Sequence, residues 1–257
     1  MNVGKLLKTI ELAAKKEGIK TLSYEVVEPV SARGSRLTSV PFLPQESVCV
    51  QGVHLPFHFC CVFVSSEQVR RELSKSDEEK AGAVMYLNSL NRSKIPKVRS
   101  IDSISSPILH DMLDGVSELV IDLPCVQQPQ GNSCGMATLV NAMLALIVCS
   151  FEELLNKGLN EVLVRYQLPF CSAWTNSDFV AATRIVVKFF EAGADSVPKL
   201  SILLRRVSFA VAEARKEVSQ QNNRRKSSKK PAVSRILNAS QSKISTFFKK
   251  KSADNPE

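Results

Sequence analysis

Cys134 closes a polar turn, Gln128-Pro129-Gln130-Gly131-Asn132-Ser133-Cys134-Gly135, that runs straight into the apolar stretch Met136 to Val148. That stretch predicts a buried helix with the cysteine at its mouth. At such a place, N–H groups without intrahelical partners and the positive end of the helix dipole favour thiolate over thiol. A thiolate attacks a carbonyl carbon, and the oxygen that gains charge in the process needs hydrogen-bond donors. An amide side chain a few residues upstream, beside the cysteine's own N–H, can supply them. Gln128 stands six residues before Cys134. These residue types at this spacing point to nucleophilic acyl transfer.

The elements that must position such a site can be read in chain order. Met1 to Lys20 sets Val3, Leu6, Leu7 and Ile10 between charged residues at helical spacing, which predicts a helix ending at Gly18 and excludes the uninterrupted apolar core of a signal peptide. A loop rich in Ser, Arg and Pro, Pro29 to Pro44, leads to a short strand around Val48-Cys49-Val50. His58-Phe59-Cys60-Cys61-Val62-Phe63-Val64 has the β-branched and aromatic content of a buried strand, with a histidine at its start. His54, beside Pro56, falls in the expected loop between these two strands, and His110 belongs to a later helix as a structural residue.

A charged segment, Ser65 to Lys80, reads as a solvated insertion. Ala83 to Leu87 then predicts a strand running into Asn88-Ser89-Leu90, and Ser106-Pro107 to Gly115 a short helix with cap signals at both ends. Glu118 to Leu123 is expected to be the strand that delivers the chain to Gln128. Its Val120-Ile121-Asp122-Leu123 also looks like a SUMO-interacting motif, but its position before the turn assigns it to the core. After the Cys134 helix the chain reads as helical. Ser150-Phe151-Glu152-Glu153 is a capping box for a helix to about Arg165, Ser177-Asp178 caps a second, and Pro198 opens a third to about Val218.

The turn Gln128–Gly135 resembles the active-site segment of the ubiquitin-like-protein proteases, the SUMO-protease and adenain-like cysteine peptidases, whose pattern reads Gln-Pro-x-Gly-x-Asp-Cys-Gly. Every defined position matches except the Asp, where Ser133 stands. A lone cysteine before a helix would otherwise read as a small buried hydrophobe. The resemblance covers roughly 48–190 and implies an α+β, papain-like cysteine peptidase fold, a small central sheet flanked by helices. It implies Cys134 as nucleophile, His58 as general base and then acid, Asn88 as the orienter of His58, and Gln128 with the Cys134 N–H as oxyanion donors.

Besides Ser133, three features depart from the family. Asn88 replaces the usual Asp. An amide carbonyl still holds an imidazole's tautomer but carries no charge to stabilise imidazolium. Phe59 follows His58 where the family has Trp, and no Trp precedes Trp174, so the narrow tunnel for a Gly-Gly tail lacks both of its usual walls. These departures leave open a second expectation: a pseudo-peptidase that binds a modifier without cleaving it. A third, the adenain-like branch, would cleave ordinary peptide bonds.

With 257 residues, 44% of them hydrophobic, the chain can bury a full core, and no stretch has the apolar length of a membrane span. Seven cysteines without paired metal-ligand spacing fit a reducing compartment, and neither a metal nor another cofactor is expected. The net charge of +9 is local: residues from Ser219 onward carry ten Lys or Arg against two Asp or Glu, the preceding ones 24 against 23. The folded body therefore has no basic surplus for nucleic acid. The expected division is a catalytic domain, 1–218, and a disordered basic tail, 219–257.

Within the tail, Arg224, Arg225, Lys226, Lys229 and Lys230 read as a nuclear-import signal. Gln241, Ile244, Phe247 and Phe248 fit the PCNA-interacting peptide, Gln-x-x-aliphatic-x-x-aromatic-aromatic. One helical turn would set the three apolar side chains on one face for a hydrophobic pocket on the sliding clamp. Lys249-Lys250-Lys251 adds attraction to an acidic surface or, without sequence preference, to nearby DNA. The expectation from the whole chain is a nuclear cysteine protease that removes a ubiquitin-like modifier, SUMO in the first place, at the replication clamp.

Overall fold

The computed structural model describes residues 2–19, 21–22, 48–55, 58–64, 84–90, 94–103, 119–129, 133–148 and 151–228. Two compact units divide the chain, Met1–Ala214 and Arg215–Glu257.

The first unit opens with α1 (Val3–Glu17). The Asn2 side chain accepts from the Lys5 N–H at one end, and Gly18, in the left-handed region at φ 92°, ends the helix at the other. Its apolar positions recur at helical spacing, so Leu6, Leu7, Ile10, Ala13 and Ala14 form one buried face. Further helices are α2 (Cys134–Val148), α3 (Phe151–Lys157), α4 (Asn160–Arg165), α5 (Asn176–Glu191) and α6 (Leu200–Ser228). The helix headed by Cys134 is buried on every side from Ala137 to Leu146. It packs against α1, α5 and the sheet, the environment that a helix apolar all round requires.

The strands are β1 (Thr21–Leu22), β2 (Val48–Leu55), β3 (His58–Val64), β4 (Val84–Leu87), β5 (Lys97–Ser100) and β6 (Leu119–Asp122). They form one mixed sheet in the order β1-β2-β3-β4-β6-β5. β2, β3 and β4 run antiparallel in succession, β6 lies parallel to β4, and β5 pairs antiparallel with β6 at the edge. Cys61, Met85, Leu87 and Ile121 join α1 and α2 in the main core. The alternating residues Cys60, Val62, Val84, Tyr86 and Val120 are buried as well, so the central strands are apolar on both faces. Val120-Ile121-Asp122 is core strand, as expected. Asp122 is held by Arg99, whose Nη2 donates to Oδ1 at 2.8 Å while Nε approaches Oδ2 at 2.6 Å.

An α+β architecture is therefore present, with several differences in detail. His54 lies inside β2, paired with Phe59, and not in a loop, because the β2–β3 ladder continues to Leu55 opposite His58. The helix expected to run to Arg165 is two helices, broken at Gly158 (φ 61°), a conformation open to glycine at little cost. Thr175, not Ser177, caps α5: its side chain accepts from the Asp178 N–H while the Asp178 carboxylate accepts from the Thr175 N–H.

The last helix extends to Ser228, well past Val218, through Gln220, Gln221 and Arg224, which favour helix without needing a core. The described part of the second unit is the end of this helix, 215–228, whose residues 215–224 are exposed. The charged insertion 65–80, the helix at 106–115, the Ser150 capping position and residues 229–257 lie outside the described residues.

Candidate active site

The chain between β6 and α2 carries the candidate chemistry, and its lead-in is pinned residue by residue. The Leu123 N–H donates to the Tyr86 carbonyl (3.0 Å), continuing the β4–β6 pairing one step beyond the strand. Val126 is held by Asn141, a fully buried amide on α2. Asn141 Oδ1 accepts from the Val126 N–H (2.8 Å), and its Nδ2 donates to the Val126 carbonyl (3.2 Å). The Gln127 N–H donates to the Cys171 carbonyl (2.9 Å). Gln128 is bound twice to Ser89: its N–H donates to the Ser89 carbonyl (3.0 Å), and Ser89 Oγ donates to Gln128 Oε1 (2.9 Å). Four successive anchors thus come from β4, α2, the turn at Cys171 and the residue after Asn88. Each satisfies polar groups that burial would otherwise strand.

Cys134 begins α2 and is half-buried. The Ser133 carbonyl accepts the first helical bond, from the Ala137 N–H at 2.9 Å, whereas the buried Ser133 Oγ makes no hydrogen bond and so does not cap the helix. Residues 130–132, the middle of the turn, lie outside the described residues.

The other thiols contrast with Cys134. Cys60, Cys61, Cys125 and Cys171 are buried and form no disulfide. Burial pushes Cys60 up to about 12; a hydrogen bond with the Tyr86 hydroxyl pulls the other way, and the neighbouring Cys134 adds to the rise. Burial pushes Cys171 up to about 11 and holds Cys61 and Cys125 well above the ordinary thiol value. Among the described cysteines, solvent access singles out Cys134. Thiolate chemistry needs that access.

His58 is the first residue of β3, where its backbone was expected, and its side chain lies outside the described ones. α2 packs against β3, and His58 precedes the buried Cys60 by two strand residues, about 6.6 Å of rise.

Asn88 directly follows β4 and is half-buried. Its Oδ1 accepts from the Leu90 N–H (2.9 Å) and its Nδ2 donates to the Tyr86 hydroxyl (3.1 Å). The same Tyr86 hydroxyl bonds to Cys60, so a polar chain runs from Asn88 through Tyr86 to the Cys60 thiol on β3.

The structure thus brings together Gln128 and the Asn88-Ser89 segment, and separately packs α2 against β3. Two residues carry the architecture without having been singled out from sequence: Asn141 and Ser89. An amide inside an otherwise apolar helix was the available signal for Asn141, since a buried amide must find partners. Trp174 is a core residue, its ring 5.1 Å from that of Phe179 and its Nε1 donating to the Pro169 carbonyl. Among the described residues no three His, Cys, Asp or Glu side chains are grouped as metal ligands, and no helix is long and apolar enough to cross a membrane. The tail residues Lys229, Lys230, Gln241, Ile244, Phe247 and Phe248 lie outside the described residues, while Arg224, Arg225 and Lys226 are on α6.

No protein-family model, curated protein or solved structure matches this chain. A functional reading rests on its own residues and their placement.

Proposed function

We propose that the chain is a papain-like cysteine peptidase of the SUMO-protease type, brought to the PCNA sliding clamp by its tail. The observation that carries this reading is the doubly bonded Ser89–Gln128 pair on the anchored approach to Cys134, an accessible thiol at a helix start.

In the reaction, His58 takes the Cys134 proton and the sulfur attacks the carbonyl carbon at the modifier's C-terminus. The carbonyl oxygen becomes an oxyanion, met by the Cys134 N–H and the Gln128 amide. Collapse breaks the C–N bond, and the imidazolium returns its proton to the departing amine. A thioester remains. Water, deprotonated by His58, attacks it and releases a carboxylate, and Cys134 is regenerated. Asn88 orients the imidazole through its amide carbonyl. Side chains and water suffice for each step.

In the tail, Ile244, Phe247 and Phe248 fit the clamp's apolar pocket while Gln241 is held separately by hydrogen bonds, and Arg224, Arg225, Lys226, Lys229 and Lys230 direct nuclear import. The substrates are then proteins conjugated to a ubiquitin-like modifier on replicating DNA.

A second reading is favoured by Asn88, which is uncharged and whose carbonyl already accepts from the Leu90 N–H. Here the fold binds a modifier as a clamp-bound adaptor without cleaving it. Hydrolysis of a fusion joined through the C-terminal glycine of SUMO decides between them. The peptidase reading expects cleavage that Cys134→Ala abolishes; an unchanged rate in that variant overturns it.

A further inference from the structure

We infer that Ser89 is a positioning residue that sets the Gln128 carboxamide for oxyanion binding, an inference that rests on the peptidase reading above. A carboxamide has one accepting end and one donating end, and only the donating end stabilises a developing negative oxygen. Swung about its last bond, the same side chain would present Oε1 and repel the charge it is meant to meet.

Ser89 removes that freedom. Its Oγ donates to Gln128 Oε1 at 2.9 Å, which ties the carbonyl end to β4 and turns the NH2 end the other way. Its carbonyl accepts from the Gln128 N–H at 3.0 Å, so one residue holds both the root and the tip of the glutamine. Ser89 is itself only 2% exposed, which shields the hydroxyl bond from competition by water. It also directly follows Asn88. The residue assigned to orient His58 and the residue that orients the oxyanion donor are thus consecutive on one short segment at the end of β4. Preorganisation of this kind acts on the transition state more than on the bound substrate.

The test compares wild type, Ser89→Ala, Ser89→Thr, Gln128→Ala and the Ser89→Ala/Gln128→Ala double variant of the full chain. Two readouts are taken: kcat and KM on the SUMO fusion, and the side-chain amide NMR signals of Gln128. Ser89→Ala is expected to lower kcat about tenfold with KM within about twofold, part of the loss typical of removing an oxyanion donor. The double variant is expected to be no slower than Gln128→Ala, because Ser89 acts through Gln128. Ser89→Thr, which keeps the hydroxyl, should restore most of the rate. Independently of turnover, Ser89→Ala should shift both Gln128 NH2 proton signals to the positions of an unrestrained glutamine side chain in water.

Unchanged Gln128 signals in Ser89→Ala, or kcat losses that multiply in the double variant, overturn the inference. If the wild type cleaves nothing, the peptidase reading falls, and the amide signals still decide whether Ser89 holds Gln128.

Discussion

Asn141, seven residues along the helix that Cys134 begins, exchanges two hydrogen bonds with the main chain of Val126, at 2.8 and 3.2 Å. The pairing imitates a strand partner with a side chain. It lets the segment before Gln128 lie against α2 with both backbone polar groups of Val126 paired. The helix that presents the candidate nucleophile thereby also fixes the approach of the candidate oxyanion donor.

Asn141→Ala removes both bonds and leaves a buried N–H and a buried carbonyl without partners. The expected cost is about 3 kcal/mol of unfolding free energy. Urea denaturation measures it, and a change below about 1 kcal/mol would mean that the segment finds other partners or water.

The four buried thiols set a second expectation. With Cys60 up to about 12, Cys171 up to about 11, and Cys61 and Cys125 also well above the ordinary range, none forms appreciable thiolate at pH 8 in the folded protein. Iodoacetamide under native conditions should modify Cys134 at least about tenfold faster than these four, as read by peptide mapping, and the difference should vanish in denaturant. Equal protection of Cys134 would remove it as a candidate nucleophile.

Glu17 joins α1 to α6. Its Oε2 accepts from the Ser201 N–H (3.0 Å) and from Ser201 Oγ (2.7 Å). The backbone bond does most to hold its carboxyl below the usual glutamate value, with the hydroxyl and Lys199 assisting against some desolvation. A carboxyl depressed in the folded state contributes stability that is present above the unfolded value of about 4.3 and is lost as pH falls through the lower folded value. Glu17→Gln should therefore flatten the acid side of the stability curve below about pH 4.3. Melting temperatures across pH 3 to 7 test this, and an identical acid slope in the variant would contradict it.

Asn88→Asp tests the orienting role. The carboxylate keeps an acceptor for the Leu90 N–H, and the Tyr86 hydroxyl can donate to it where it now accepts from the amide. The new charge would favour imidazolium. The expected kcat/KM on the SUMO fusion is equal to wild type or higher, and a loss of more than about tenfold would argue that Asn88 serves the fold alone.

Much of the frame was legible in the sequence because it depends on local chemistry. Gly18 ends α1 where expected, β3 spans His58–Val64 as its β-branched and aromatic content implied, and the apolar run after Ser133 is a buried helix. The misses fall where local signals mislead or are faint. Pro56 suggested a loop at His54, but the strand pairing carries through Leu55. β5 is an exposed edge, Lys97-Val98-Arg99-Ser100, with charges instead of a hydrophobic face. β1 has two residues and exists only through its pairing with β2. In the site, Cys134 and Gln128 could be found by spacing. Ser89 and Asn141 could not, because their partners lie 39 and 15 residues away and meet them only in the folded chain.

The central claim is that Cys134 attacks the C-terminal carbonyl of a ubiquitin-like modifier. Its most direct test is a panel of full-length SUMO, ubiquitin and related modifiers carrying a C-terminal thiol-reactive group, incubated with wild type and Cys134→Ala. The account predicts a covalent adduct with one modifier, mapped to Cys134 and absent from the variant. A folded wild-type protein whose Cys134 reacts with iodoacetamide but forms no adduct with any modifier would contradict it and favour the clamp-bound adaptor.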